Sequence, residues 1–153
     1  MDIRLGNFND QRVKDLLTYH LKGMHQNSPP GHVFALDWTG LQKPEISFYT
    51  GCVADTLVVM GALKALGDGT GELKSMRVAD GQAGKGYGAA MLQHLIGEAR
   101  SRGYRRLSLE TGSGSAFDPA LALYRKHGFI EGEVFGGYVK SEFSRLFHLS
   151  LQQ

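Results

Sequence analysis

The chain has 153 residues, 42% apolar and 21% charged, with a formal net charge of +2; that length suits one domain, residues 1–153, built around a single core. The small charge, with no Lys/Arg run or basic stripe among aromatics, excludes nucleic acid as the expected partner. No stretch approaches the ~20 apolar residues of a membrane span, the start Met1-Asp2-Ile3-Arg4 lacks the apolar core of a signal peptide, and the lone Cys52 fits a reducing compartment, so the expectation is a cytoplasmic protein.

Asp2–Leu5 reads as a short first strand. Asn9 or Asp10 then caps a helix in which Val13, Leu16, Leu17, Leu21 and Met24 recur at helical spacing. The prolines of His25-Gln26-Asn27-Ser28-Pro29-Pro30-Gly31-His32 turn that stretch into a loop, followed by a short turn or helix through Asp37–Leu41. Ile46–Val53 and Thr56–Leu66 are rich in β-branched and aromatic residues and form a hairpin joined near Ala54-Asp55. Gly67-Asp68-Gly69-Thr70-Gly71 is a turn leading into strand Glu72–Val78.

A glycine-rich segment, Ala83 to Ala90, precedes the strongest helix, Met91–Arg102, where Leu92, Leu95, Ile96 and Ala99 form one apolar stripe. Arg100 and Arg102 complement its carboxyl end and Gly103 closes it. Strand Arg105–Glu110 follows, and Asp118-Pro119 has the N-cap and first-turn chemistry of another helix, ending at Gly128. Phe129–Val134 and Arg145–Leu151 are the last strands, with Phe147, Leu149 and Leu151 alternating onto one face. The order β-α-(α)-β-β-β-α-β-α-β-β is a mixed α/β fold.

Glycines 84, 86 and 88 leave the backbone bare where a helix begins, so unpaired N–H groups and the positive dipole end favour a phosphate, with Lys85 adding a mobile charge. A P-loop would need Ser or Thr after its Gly-Lys pair; here Lys85 precedes Gly86. Gly84-x-Gly86-x-x-Ala89 matches a dinucleotide fingerprint only loosely, and the antiparallel strands before it are not βαβ units.

The glycine loop after the fourth strand, together with Ala120, Tyr124, Gly128 and Phe129 after the fifth, resembles the GCN5-related N-acetyltransferase (GNAT) superfamily. Its motifs are Arg/Gln-x-x-Gly-x-Gly/Ala and Asn-x-x-Ala-x-x-Leu/x-Tyr-x-x-x-Gly-Phe. Glu72–Val78 and Phe135-Gly136-Gly137-Tyr138 look like those of a bacterial acetyltransferase branch. The resemblance implies a mixed, mostly antiparallel sheet with splayed central strands and flanking helices. It also implies acetyl-CoA as acetyl donor and an amine of a small molecule, or a free amino group, as acceptor, reached by direct transfer in a ternary complex. Relatives are often dimers, so a homodimer is possible. Ala83 stands where Arg or Gln is usual and Phe117 where Asn is frequent, both implying weaker cofactor binding.

Residue by residue, the resemblance assigns the backbone of Met76, Arg77 and Val78 to the pantetheine arm, with an N–H there as oxyanion donor. Ala83, Gly84, Lys85, Gly86, Tyr87 and Gly88 would hold the pyrophosphate. Tyr124 would protonate the leaving sulfur, with a phenol pKa near ~10. Glu72 stands where related enzymes carry their base, with Glu110 or a water chain as rivals. His20, His25 and His32 do not share a helical face and lack further ligands, so no metal is expected. His25, His32, Asp37, Trp38, Phe48, Glu110 and Tyr138 are candidates for an acceptor pocket whose acids and aromatics would suit a cationic amine. Ser113 and Ser115 lack the nucleophile-elbow pattern. The alternatives are a non-catalytic acyl-CoA-binding or regulatory module and a nucleotide-binding domain.

Overall fold

Asp10 accepts the Arg12 N–H and starts helix α1 (Gln11–Asn27), whose buried face is Val13, Leu16, Leu17 and His20. In the computed structural model, which describes residues 1–152, this helix lies between the first and second strands of a seven-stranded sheet. The strands are β1 (Asp2–Leu5), β2 (Ile46–Val53), β3 (Thr56–Ala65), β4 (Thr70–Val78), β5 (Arg106–Thr111), β6 (Ile130–Glu131) and β7 (Arg145–Ser150). Helix α2 (Tyr87–Ser101) follows β4 and α3 (Asp118–Lys126) follows β5. The sheet order is β1-β2-β3-β4-β5-β7-β6, antiparallel throughout except between β4 and β5. No helix among the described residues is long and apolar enough to cross a membrane.

Several boundaries differ from the sequence reading. Helix α1 runs on through His25 to Asn27, because the steric effect of Pro29 falls on the residue before it. Ser28 is extended, with ψ 142°, and Asn27 Nδ2 closes the last turn on Gly23 O at 2.7 Å. Helix α2 begins at Tyr87, with Gly86 at its N-cap and Gly88 in its first turn. Asp118 is a helical first-turn residue; Phe117, at the end of the 3₁₀ turn Ser115–Phe117, holds the N-cap position. The strand from Phe129 shrinks to Ile130–Glu131.

The two faces of β3 carry two cores, as its alternation requires. Val59 and Leu63 join Leu92, Leu95, Leu107, Leu109, Leu121 and Phe129 beneath α2 and α3. Met60 and Ala62 join Val13, Leu16, Leu17 and Phe48 beneath α1. Gly61 brings α2 against the sheet: a Cβ there would lie 2.9 Å from atoms of Leu95, Met76 and Met91.

Strands β4 and β5 pair only from Thr70–Glu72 to Arg106–Ser108. Opposite, the β3–β4 register shifts between Met60 and Ala62, and Ser75 takes a left-handed φ of +58°. A bulge of this kind bends its strand and increases local twist. Beyond Glu72 the two central strands therefore part, leaving one edge of β4 without a β5 partner.

Candidate active site in the gap between the central strands

The gap opens into a cavity of about 590 Å³. One wall is Glu72–Val78 of β4, and another is Leu109, Glu110 and Thr111 at the end of β5. Helix α3 contributes Leu123 and Tyr124, and α1 contributes Tyr19, His20 and Gly23.

At one end sits the glycine loop. Gly84 and Gly86 have φ of +77° and +84°, a region glycine enters without steric cost, and a Cβ on either would meet nothing within 4 Å. Gly86 occupies the N-cap of α2 without any side-chain cap, and the first bond closing the helix is Ala90 N–H to Gly86 O, 3.1 Å. The N–H groups ahead of it are therefore open to an anion. Ala83, Gly84, Gly86 and Gly88 line the cavity, whereas Lys85 and Tyr87 do not; Lys85 Nζ donates to Gln82 Oε1 at 3.1 Å. The bare cradle and the open edge of β4 fit a diphosphate on an extended, uncharged arm. Phe117 is buried, its ring 5.6 Å from that of Phe143.

Tyr124 is buried with its ring edge-on to Phe129. Burial pushes its phenol up to about 12, against a smaller downward pull from Arg77. The unperturbed value near ~10 assumed from the residue type alone is thereby corrected. Across the cavity, Glu72 is only 3% exposed. Its Oε2 accepts the Tyr138 hydroxyl at 2.5 Å and Lys74 Nζ at 3.2 Å, while Lys74 also donates to Tyr138 Oη at 2.9 Å. Burial and the Glu72 charge push the Tyr138 phenol far up. Burial also raises the Glu110 carboxyl, beyond what the Ser144 hydroxyl and the Lys74 ammonium take back.

On the α1 side, Arg77 Nε donates to His20 Nδ1 at 2.9 Å, and the guanidinium carbon lies 5.7 Å from the centre of the Tyr19 ring. Burial, reinforced by the Arg77 charge, holds His20 down at about 3, so it is neutral.

Of the residues expected around an acceptor, Glu110 and Tyr138 line the cavity. The other five do not. His25 is exposed on the last turn of α1. His32 sits against Phe34 and Phe143 with its Nδ1 buried and unpartnered. Asp37 Oδ1 accepts the Gly40 N–H at 2.8 Å in a 3₁₀ turn. Trp38 and Phe48 each lie 5.1 Å from Phe8 in the core beneath α1, where their area is used for packing. Conversely, Tyr19, His20, Phe34, Lys74 and Ser75 line the cavity and were not anticipated there. His20 had a legible signal, falling four residues after Leu16 and three after Leu17 on the buried face of α1. Among the described residues, no three His, Cys, Asp or Glu side chains gather as a metal site.

Residues 13–129 match the model of the Acetyltransferase (GNAT) family. The chain is 43% identical over 138 residues to the uncharacterized N-acetyltransferase YsnE of Bacillus subtilis, covering 90% of this chain and 91% of that protein. It is 41% identical over 139 residues to the uncharacterized N-acetyltransferase YedL of Escherichia coli, covering 91% and 87%. Among solved structures, a Klebsiella pneumoniae protein has a similar fold, with a TM-score of 0.81 at 23% identity over 99% of this chain and 97% of that one. A Bacillus subtilis acetyltransferase in complex with CoA has a TM-score of 0.73 at 20% identity, covering 98% of each chain. Since the family match runs from α1 through the glycine loop and Tyr124 to Phe129, the chain belongs to the Acetyltransferase (GNAT) family and is an N-acetyltransferase with acetyl-CoA as its acetyl donor.

Proposed function

We propose that the protein transfers the acetyl group directly from acetyl-CoA to an amine of a small molecule, or to a free amino group, within a ternary complex. One observation supports this most: a single cavity joins the glycine cradle, the open edge of β4, Tyr124 and Glu110. The loop amides take the diphosphate, and the β4 backbone from Met76 to Val78 takes the pantetheine arm. The amine nitrogen attacks the thioester carbonyl carbon, and a β4 N–H receives the developing oxyanion. As the C–S bond breaks, sulfur takes the Tyr124 proton, which solvent later replaces. With its phenol near about 12, Tyr124 is protonated throughout the working range, and the nearby Arg77 charge lowers the cost of the transient phenolate.

The proton lost by the amine goes to Glu110, directly or through water. Glu72 is the weaker candidate, because its carboxylate already accepts from Tyr138 and Lys74 and serves to hold both. The same reading takes residues 1–153 as one domain of a cytoplasmic enzyme, where the free Cys52 fits a reducing compartment.

Tyr124→Phe tests the reading. Thiol release across a panel of amines should fall by about ten- to a thousandfold, the usual scale of acid–base catalysis, with acetyl-CoA affinity kept within about threefold. Unchanged turnover would remove Tyr124 from the mechanism. Binding of acetyl-CoA without turnover on any amine would make the chain a non-catalytic acyl-CoA module instead.

A further inference from the structure

We propose that the amine accepted by this enzyme also carries a carboxylate, and that Arg77 seats that carboxylate on the α1 side of the cavity. The proposal rests on the acetyl-transfer reading and names its acceptor class, an amino-acid-like molecule.

Arg77 lines the cavity and is more than half withdrawn from water, yet among the described residues no carboxylate lies within ion-pair distance of it. The ion pairs among the described residues use Arg4, Arg12, Lys74, Arg102 and Arg145. Among the described residues only its Nε has a hydrogen-bond partner, which leaves both terminal nitrogens to donate. A desolvated guanidinium without an anion is costly and is ordinarily paired.

The partner on Nε explains how the fork is aimed. A guanidinium has no acceptor, so His20 Nδ1 must present its lone pair, and the ring proton sits on Nε2. The neutral imidazole steers Arg77 without cancelling its charge, which a carboxylate in its place would have done. Gly23 leaves the terminal nitrogens uncovered: even a Cβ there would come within 3.5 Å of Nη2, and a longer side chain would lie across the fork. The Tyr19 ring supports the cation from α1. On the same β4 wall Ser75 also lines the cavity, and its buried hydroxyl has no partner among the described residues.

The opposite polarity is met on the other wall. Glu72 is neutralised by Lys74; of the two other acids lining the cavity, Asp80 is exposed beside the glycine loop and Glu110, at the end of β5, is the one to receive the proton of the attacking amine. The donor's diphosphate has its own amide cradle and does not need Arg77. A purely cationic acceptor would meet an unpaired guanidinium of like charge, and two of the aromatics expected to favour it, Trp38 and Phe48, are committed to the core.

The test compares free amino acids, including β-alanine and γ-aminobutyrate, with their primary carboxamides and decarboxylated amines, by acetyl-CoA-dependent thiol release. It uses the unmodified protein, Arg77→Gln, Arg77→Lys and His20→Gln, with acetyl-CoA affinity measured separately by calorimetry and folding checked by thermal melting. At least one amino acid should be used with kcat/KM about ten- to a hundredfold above its own amide, the range for charge-assisted hydrogen bonds. Arg77→Gln should bring that ratio near one, mainly through the KM of the amino acid, and leave acetyl-CoA affinity within about threefold; any fall in kcat through the Tyr124 phenolate should strike amino acid and amide alike, so the ratio still reads the carboxylate seat. Arg77→Lys should restore part of the ratio, and His20→Gln, which keeps an acceptor for Nε, should restore most of it.

A preference for amides or simple amines, a ratio that survives Arg77→Gln, or weaker acetyl-CoA binding in that variant would overturn the proposal. So would failure of every amino acid in the panel while acetyl-CoA still binds. Failure of the unmodified protein to bind acetyl-CoA would sink the underlying reading instead.

Discussion

The buried pair of His20 and Arg77 makes a quantitative prediction about stability. An imidazole that titrates at 6.5 in the unfolded chain and at about 3 in the fold binds fewer protons when folded throughout that interval. Stability from this group is complete above pH 6.5 and is lost as the pH falls through 6.5 toward 3. Each pH step of one between those two values removes about 1.4 kcal/mol, so linkage puts the loss at about 2 kcal/mol by pH 5 and about 5 kcal/mol below pH 3. Glu110 has the opposite sign: its raised carboxyl adds stability at low pH and loses it as the pH rises through the elevated value. Carboxyls such as Asp10, Asp68 and Glu131 also titrate. All of these are common to the parent and a His20→Gln variant, so they cancel in the difference. Urea unfolding at pH 8 and pH 5 should show the parent losing about 2 kcal/mol more than His20→Gln over that range. Equal losses, or a His20 ring that titrates near 6.5 by NMR in the folded protein, would refute the placement of a neutral imidazole against Arg77.

Two further outcomes bear on the loop and on the base. Gly86→Asp forces a side chain into a left-handed backbone, costing roughly 1–2 kcal/mol, and sets a negative charge beside the amides of α2. Acetyl-CoA affinity by calorimetry should drop by more than about tenfold, since charge-assisted hydrogen bonds of ~1.5–3 kcal/mol are at stake; undiminished affinity would contradict the phosphate assignment. Glu110 must be deprotonated to accept a proton, so kcat/KM should rise with pH through a value above 4.5. Glu110→Gln should abolish that acid limb and lower turnover by about a hundredfold or more. A limb that persists unchanged would return the role to Glu72 or water.

The parts of the fold that local chemistry dictates were legible in the residues. The stripe Leu92, Leu95, Ile96 and Ala99 does bury one face of α2, and the β-branched runs from Ile46 and Thr56 do form the hairpin. The end of α1 was less legible, because Pro29 constrains only its immediate neighbour Ser28 and the helix continues past His25, where the sequence reading began the loop. The acceptor side was the least readable. Arg77 meets His20 across 57 positions and Tyr138 meets Glu72 across 66, and neither pairing leaves a local pattern. Aromatic type alone cannot separate a pocket wall from a core, and Phe8, distant in sequence, claims Trp38 and Phe48 for packing. The phenol of Tyr124 could not be placed near 12 without knowing its burial.

Ala83 carries less consequence than its place in the motif suggests. The position is exposed at the rim of the cradle, where a charged side chain would meet a phosphate through water. At 4 Å in a water-like dielectric such a pair is worth about 1 kcal/mol before its own entropy is deducted. The amides ahead of Ala90 are different in kind: they are fixed by α2, cost no side-chain ordering, and act together with the helix dipole. Lys85, also at the rim and donating to Gln82 Oε1, can swing toward a phosphate and replace most of the long-range attraction an arginine would supply. A cradle whose strength lies in main-chain geometry tolerates the loss of one rim charge, whereas a distorted turn at Gly86 would remove several amides at once.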